Sequence, residues 1–377
     1  MPDFPRSQII SLVGEAPPFD LAESVGPDLR LGELFDAQML PSLLDLPLGY
    51  GSAAGEAALR EEIARSHGVS ADEVVLTTGG IHALHLAATL LCEEGEAVIT
   101  SPVFPLARHV LEAAGARVRT LTLSFDAGYQ PDLDALASLL TPATRLVSLA
   151  TPQNPSGVAI PLQTLREVIA LMETRSPDAR LLVDETYREA GIGDAPVGAS
   201  ALELGTRVIS TGSLSKCHGA PGLRIGWAIT RDRALRERLL NAKFNTVISC
   251  GRLDEAVALQ VLRDRDRILG ERRRMLAANL AHLQAWMERE AARLEWRRPD
   301  AGALCCVRLR PALFDDAAVA RFHAALPSHG VRVGDGAWFG ESPRVFRLGF
   351  GVLSPEDFPQ ALKRLSAALD DTQAGFT

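Results

Sequence analysis

From residue 73 to residue 230, short and continuously apolar runs alternate with stretches of helical period, and that alternation leaves few folds open. The runs Glu73–Thr78, Ala97–Thr100, Val118–Leu123, Arg145–Ala150, Arg180–Asp184, Arg207–Thr211 and Ile225–Ile229 read as strands. Helices are predicted over Ile81–Leu91, Pro105–Ala114 and Leu162–Glu173. A strand that is apolar at every position, rather than at every second one, has to be covered on both faces. That is the situation of a mostly parallel sheet with helices on each side. The sequence therefore predicts an α/β fold of the mostly parallel, seven-stranded type, with chemistry in the loops beyond the strand ends.

After Thr230 the pattern changes. Helical period runs over Arg231–Leu240 and from Leu253 to about residue 291, followed by strand-like Trp296–Leu309, a helix over Ala317–Ala325 and a strand at Arg344–Gly349. The expectation is a large domain over residues 46–270 and a smaller α+β domain made of residues 1–45 and 271–377. A chain of 377 residues is long enough to bury a core in each.

Charge and composition exclude several classes of function. A net charge of -8 gives no broad basic surface for nucleic acid phosphates or anionic lipid. The Arg272-Arg273-Arg274 cluster reads as a solvated helix face. No apolar run is long enough to span a bilayer, and MPDFPRSQIISLVGEAPP lacks the basic start and apolar core of a signal peptide, so a cytoplasmic location is expected. Cys92, Cys217, Cys250, Cys305 and Cys306 are odd in number and have no metal-ligand spacing, which predicts reduced thiols, no disulfide framework and no metal site.

Arg207 to Gly226, RVISTGSLSKCHGAPGLRIG, runs from a strand into a polar turn with Ser213, Ser215, Lys216 and, eight residues on, Arg224. A lysine amine that is partly deprotonated can attack a carbonyl carbon, while a serine hydroxyl and an arginine fork suit a phosphate. The chain has three lysines (Lys216, Lys243 and Lys363) against thirty-six arginines, so a lysine at a strand end is not surface filler. The GxxxxGK[ST] context of a Walker loop is absent.

This segment resembles the class I/II aminotransferases, fold type I enzymes dependent on pyridoxal 5'-phosphate, whose SxSK...PGLRxG motif is matched by Ser213, Lys216, Pro221, Gly222, Leu223 and Arg224. The resemblance implies a Schiff base on Lys216, whose amine later shuttles a proton between the substrate α-carbon and the cofactor C4' atom, and it implies phosphate binding by Ser213 and Arg224. In LLVDETY, similar to the family's DExY motif, it assigns Asp184 to the ring nitrogen and Tyr187 to the 3'-oxygen. A carboxylate there keeps the ring nitrogen protonated and the cofactor a good electron sink. In TPQNPSG, close to NPxNPTG, Asn154 would meet the same 3'-oxygen and the substrate, with Gln153 and Ser156 standing where asparagine and threonine are common. TTGGIHAL would present the amides of Gly80 and Ile81 to the phosphate from a helix N-terminus. His82 and His85 on that helix read as packing or surface residues. Phe104 in SPVFP would stack on the pyridine ring.

LGYGSAAGEAALR is similar to the family's YxxxxGxxxLR stretch, in which the tyrosine reaches the partner's cofactor phosphate. Tyr50 is thereby assigned across a homodimer interface. RVFRLG resembles FRLxF and makes Arg347 the clamp for the substrate α-carboxylate, preceded by a glycine-rich loop over 334–340.

The resemblance covers about residues 48 to 350, with the matched positions in one order. It implies transamination of an L-amino acid with a 2-oxo acid. The same residues serve β-eliminating C-S lyases and cyclising enzymes of this fold, and a regulatory module without catalysis is a third reading. The N-terminal PFDLAESVGPDLRLGEL does not match the glycine-containing stretch that helps enclose the substrate, so the substrate pocket lies outside the resemblance. With no second arginine placed for a side-chain carboxylate, a neutral or aromatic amino acid is expected rather than aspartate.

Overall fold

The computed structural model describes residues 5–12, 14–193 and 197–374; part of the N-terminal stretch read above for a leader, residues 1–4 and 13, lies outside the described residues. Its strands are β1 (Phe19–Leu21), β2 (Val74–Thr78), β3 (Glu96–Ser101), β4 (Arg117–Thr122), β5 (Thr144–Ala150), β6 (Arg180–Asp184), β7 (Val208–Ser213), β8 (Ile225–Thr230), β9 (Leu294–Arg297), β10 (Leu304–Leu309), β11 (Val331–Asp335) and β12 (Val345–Gly349).

Seven of them form one sheet in the order β2-β8-β7-β6-β5-β3-β4. Every strand of that sheet runs the same way except β8, which is antiparallel to both β2 and β7. The alternate side chains of each strand feed two separate cores. Val98, Val147, Leu181 and Val183 pack into one, and Ala97, Ile99, Leu146 and Leu182 into the other. Covering helices such as Gly80–Leu91 and Leu162–Arg175 contribute to one core each. This two-sided burial explains why the strands read as unbroken apolar runs.

A second, five-stranded sheet has the order β1-β11-β12-β10-β9. Its core gathers Leu21, Leu283, Trp286, Phe322, Phe346, Phe350 and Phe358. The N-terminal strand β1 joins it in parallel with β11, Phe19 opposite Val331.

Three local expectations need correction. Trp296–Leu309 is two strands, β9 and β10, paired antiparallel around a bend at 298–303, because Asp300 and Ala301 turn their amides onto the Gly157 carbonyl. The long helix from Leu253 divides at Asp264 into Arg252–Arg263 and Arg265–Arg289. The glycine-rich segment 334–340 begins inside β11, whose residue Gly334 pairs with Arg347. Cys305 and Cys306 are both buried, on opposite faces of β10. Among the described residues, no helix is long and apolar enough to cross a membrane.

Candidate active site

Because β2, β3, β5, β6 and β7 share one direction, the loops after them emerge at one edge of the large sheet. β8 runs the opposite way, so its start lies at that edge. The register puts Ala150 beside Asp184, Asp184 beside Thr211, and Ser213 beside Gly226. A cavity of about 350 Å³ opens there. It is lined by Lys216, Asp184, Tyr187, Asn154, Phe104, Gly80, Ile81, Ser213, Arg224 and Arg347, ten of the eleven residues singled out from the sequence.

Lys216 follows β7 by three residues. Its pKa is held down to about 8 by burial, with Arg347 and Arg224 pushing the same way and Glu23 and Asp184 opposing them. Near neutral pH a useful fraction of the amine is therefore unprotonated and nucleophilic. Among the described residues it is the only lysine lining the cavity. Lys243 is fully buried elsewhere and donates through Nζ to the Ala53 carbonyl at 2.6 Å.

At the end of β6, the Asp184 carboxylate accepts from the Thr186 hydroxyl at 2.6 Å and from the Thr186 amide at 3.1 Å. Burial raises its pKa, against these two hydrogen bonds and the Lys216 charge. Tyr187 is buried, its phenol pKa is pushed up by that burial, and it donates to Ser24 Oγ at 2.9 Å. The phenol therefore keeps its proton.

The anion end of the cavity is shaped by what a Cβ would strike. The helix Gly80–Leu91 starts after Gly79, which has φ 75 and ψ 166. A Cβ on Gly79 would lie 2.4 Å from Arg224 Nη2, and one on Gly226 would lie 2.5 Å from the Gly80 nitrogen. Only glycine lets the guanidinium, the helix N-terminus and β8 converge this closely. The first amides of a helix have no intrahelical acceptor, so Gly80 and Ile81 offer N–H groups beside Ser213, Ser215 and Arg224, the donor set a phosphate ester needs. His82 takes no part. Its Nδ1 accepts from the Thr78 amide at 3.2 Å and its Nε2 lies 3.2 Å from the Thr246 hydroxyl.

Arg347 comes from the other sheet. It lies on β12 opposite Cys306, and its side chain is almost fully buried. Nη1 donates to Asn154 Oδ1 at 2.9 Å, Nη2 donates to the Ala22 carbonyl, and the guanidinium lies 4.6 Å from the centre of the Phe339 ring. Nε is buried without a partner, a donor left for an incoming carboxylate. With its oxygen taken by Arg347, Asn154 has its amide NH₂ free for a ligand oxygen. Gln153 and Ser156, the two departures in this loop, lock each other. Gln153 Nε2 donates to the Pro102 carbonyl at 2.8 Å, tying the loops after β3 and β5, while Ser156 donates to Gln153 Oε1.

Tyr50 is the residue the fold does not bring in. It is 84% exposed, beside Val247, Cys250, Arg252 and Leu253, away from the cavity of its own chain. The lining residues that the sequence reading did not single out include Ile9, Leu12, Glu23 and Ser24, all from the N-terminal segment. No motif marks them, and the N-terminal segment is held by the pairing of β1 with β11 and by the contacts of Arg332 to the Ser11 carbonyl and of Arg347 to the Ala22 carbonyl.

The model of the family described as aminotransferase class I and II matches residues 47–365. Capreomycidine synthase of Streptomyces vinaceus is 31% identical, over 81% of this chain and 77% of that protein. The arginine–pyruvate transaminase of Pseudomonas aeruginosa is 29% identical over 87% and 84%. Among solved structures, a PLP-dependent aminotransferase from Streptococcus suis is similar at a TM-score of 0.89 and 27% identity, with 98% of both chains covered. The PLP-dependent cyclase OrfR is similar at 0.82 and 30%, covering 95% of this chain and 94% of that one.

Proposed function

The chain belongs to the class I and II aminotransferase family and is a pyridoxal-phosphate-dependent aminotransferase, and we propose that the cavity at the sheet edge is where it moves an amino group from an L-amino acid to a 2-oxo acid. The observation that carries this reading is the setting of Lys216, a lysine held near pKa 8 between an anion cup and Arg347.

The donors and glycines around the cavity fit the cofactor. Gly80, Ile81, Ser213 and Arg224 would hold its phosphate, Phe104 would cover the ring, and Asp184 would keep the ring nitrogen protonated. Asn154 through its NH₂, and Tyr187 by turning its proton away from Ser24, would meet the 3'-oxygen. When bound, the cofactor draws electron density away from the substrate α-carbon. Lys216 holds the cofactor, then takes the proton from the α-carbon and returns it at C4'. Arg347 with Asn154 holds the α-carboxylate and so fixes which α-carbon bond faces the amine.

We further read the exposed Tyr50 as completing the phosphate site of a second subunit. Leu44, Leu48, Phe244 and Leu253 are also exposed, an apolar surface of the kind a homodimer covers. The division into residues 46–270 against 1–45 with 271–377 and a cytoplasmic location belong to the same proposal; the pairing of β1 with β11 supports the former.

The test is spectroscopic. The purified protein is expected to show a visible cofactor band that is bleached by a suitable amino acid, restored by a 2-oxo acid, and no longer covalently fixed in Lys216→Ala. A second reading is favoured by two relatives at about this distance, capreomycidine synthase and the cyclase OrfR: cyclisation or β-elimination by the same residues. Sustained turnover of one amino acid without an oxo acid acceptor would overturn transamination in favour of that reading.

A further inference from the structure

Five charged side chains line the cavity: Glu23, Asp184, Lys216, Arg224 and Arg347. The proposed reaction uses four of them. Glu23 is left over, and it lies two residues beyond β1, beside Ala22, whose carbonyl Arg347 holds.

Among the described residues, no ion pair answers its charge. No described group donates a hydrogen bond to the Glu23 carboxylate. Its field reaches Lys216, Arg347 and Arg332. Arg332 is already paired with Asp20 at 2.6 Å and donates to the Ser11 carbonyl at 2.8 Å. Arg347 is held by Asn154 and Ala22 and is reserved for the α-carboxylate. Lys216 would be committed to the cofactor. With the cofactor in place, a half-buried carboxylate is therefore left at the cavity wall with no lining cation free to pair with it. The cavity also has apolar wall in Ile9, Leu12, Leu84, Val103, Leu106 and Phe339.

We infer that Glu23 selects the substrate side chain, and that the preferred amino acid carries a terminal cation, guanidinium or ammonium, on an apolar stem. This rests on the reading of Lys216 and Arg347 given above and names the substrate class for that site. An aliphatic stem packs against the apolar wall and the cation meets Glu23. A dicarboxylic amino acid would set its second carboxylate against Glu23, with no lining cation free to hold it. A cationic side chain replaces the neutral or aromatic one expected from the sequence, in which no motif marks Glu23 as a lining residue.

Arginine and citrulline differ by little more than the charge at the end of the same stem, and lysine and norleucine likewise compare a cation with a methyl group. Dissociation constants for the four, read from the first phase of the cofactor absorbance change when each is rapidly mixed with the holoenzyme, separate charge from shape. A charge-assisted contact predicts that the wild-type protein binds arginine about tenfold to a hundredfold more tightly than citrulline. In Glu23→Gln the ratio is expected to fall close to one, with citrulline binding retained, and the loss should appear in KM rather than kcat. An arginine-to-citrulline ratio near one in the wild-type protein overturns the inference, whether or not the variant folds. So does a ratio that Glu23→Gln leaves unchanged, or the tightest binding by a dicarboxylic amino acid. The first phase after rapid mixing reads the ratio before any amino group moves. A protein that binds cations selectively but fails to transfer the group would therefore contradict the transaminase reading and leave the Glu23 assignment standing.

Discussion

Lys216 should make the cofactor-free protein less stable than it would be without it. Its amine has a pKa of about 8 in the fold against 10.5 in an unfolded chain. A depression of about 2.5 pH units corresponds to about 3 kcal/mol of differential interaction with the proton. Below pH 8 both the folded and the unfolded chain carry the proton, so the folded form bears the whole cost of burying the charge. Between pH 8 and 10.5 the folded chain has released the proton while the unfolded chain still holds it, and stability from this group rises with pH. Above 10.5 the cost has gone. Methionine has nearly the same length and no charge, so Lys216→Met is predicted to stabilise the cofactor-free protein by up to about 3 kcal/mol at pH 7, with the advantage shrinking as pH rises through 8. Urea unfolding of both proteins without cofactor, at a series of pH values from 7 to above 9, measures this. A methionine variant that is no more stable at pH 7, or an advantage that stays flat with pH, would show that Lys216 is not held by burial in a depressed state, and the account of its nucleophilicity would fall with it.

Two further outcomes follow from the geometry of the anion cup and of the exposed tyrosine. Gly79→Ala places a Cβ 2.4 Å from Arg224 Nη2 at a backbone position open almost only to glycine, so cofactor dissociation measured by equilibrium dialysis is expected to rise about tenfold or more; unchanged affinity would mean that Arg224 does not hold the phosphate. Subunits carrying Tyr50→Phe and subunits carrying Lys216→Ala, refolded together, should yield one cofactor site of native affinity per mixed dimer, because that site combines the intact lysine of one chain with the intact tyrosine of the other. Absence of such a site by titration would remove Tyr50 from the phosphate.

The large sheet was legible because each of its strands is covered on both faces. Arg180–Asp184 has the bounds predicted, and β3, β5 and β8 extend the predicted strands by one or two residues, since no other element explains an apolar run of that length between helices. Legibility failed where an element owes its form to a distant partner. The bend between β9 and β10 exists because Gly157, from the large sheet's loop, offers its carbonyl to Asp300 and Ala301; a Cβ there would lie 2.5 Å from the Leu304 carbonyl. Nothing in the run Trp296–Leu309 itself announces that. Strand β1 is three residues long, and its pairing with Val331–Val333 across some three hundred residues of chain is a tertiary fact without a local signal.

The same division runs through the active site. The cofactor half was readable because its residues sit at the ends of strands that the sequence already marks, so a motif became a position in space. The substrate half depends on a single arginine reaching between the two sheets. Arg347 binds Asn154 of the large-sheet loop and the Ala22 carbonyl of the N-terminal segment at once. That second contact fixes the backbone next to Glu23, so the group proposed to hold the α-carboxylate also sets the position of the group proposed to choose the side chain. Losing Arg347 would therefore disturb selectivity as well as carboxylate binding, whereas losing Glu23 should disturb selectivity alone. The two residues are thus separable by experiment even though one positions the other.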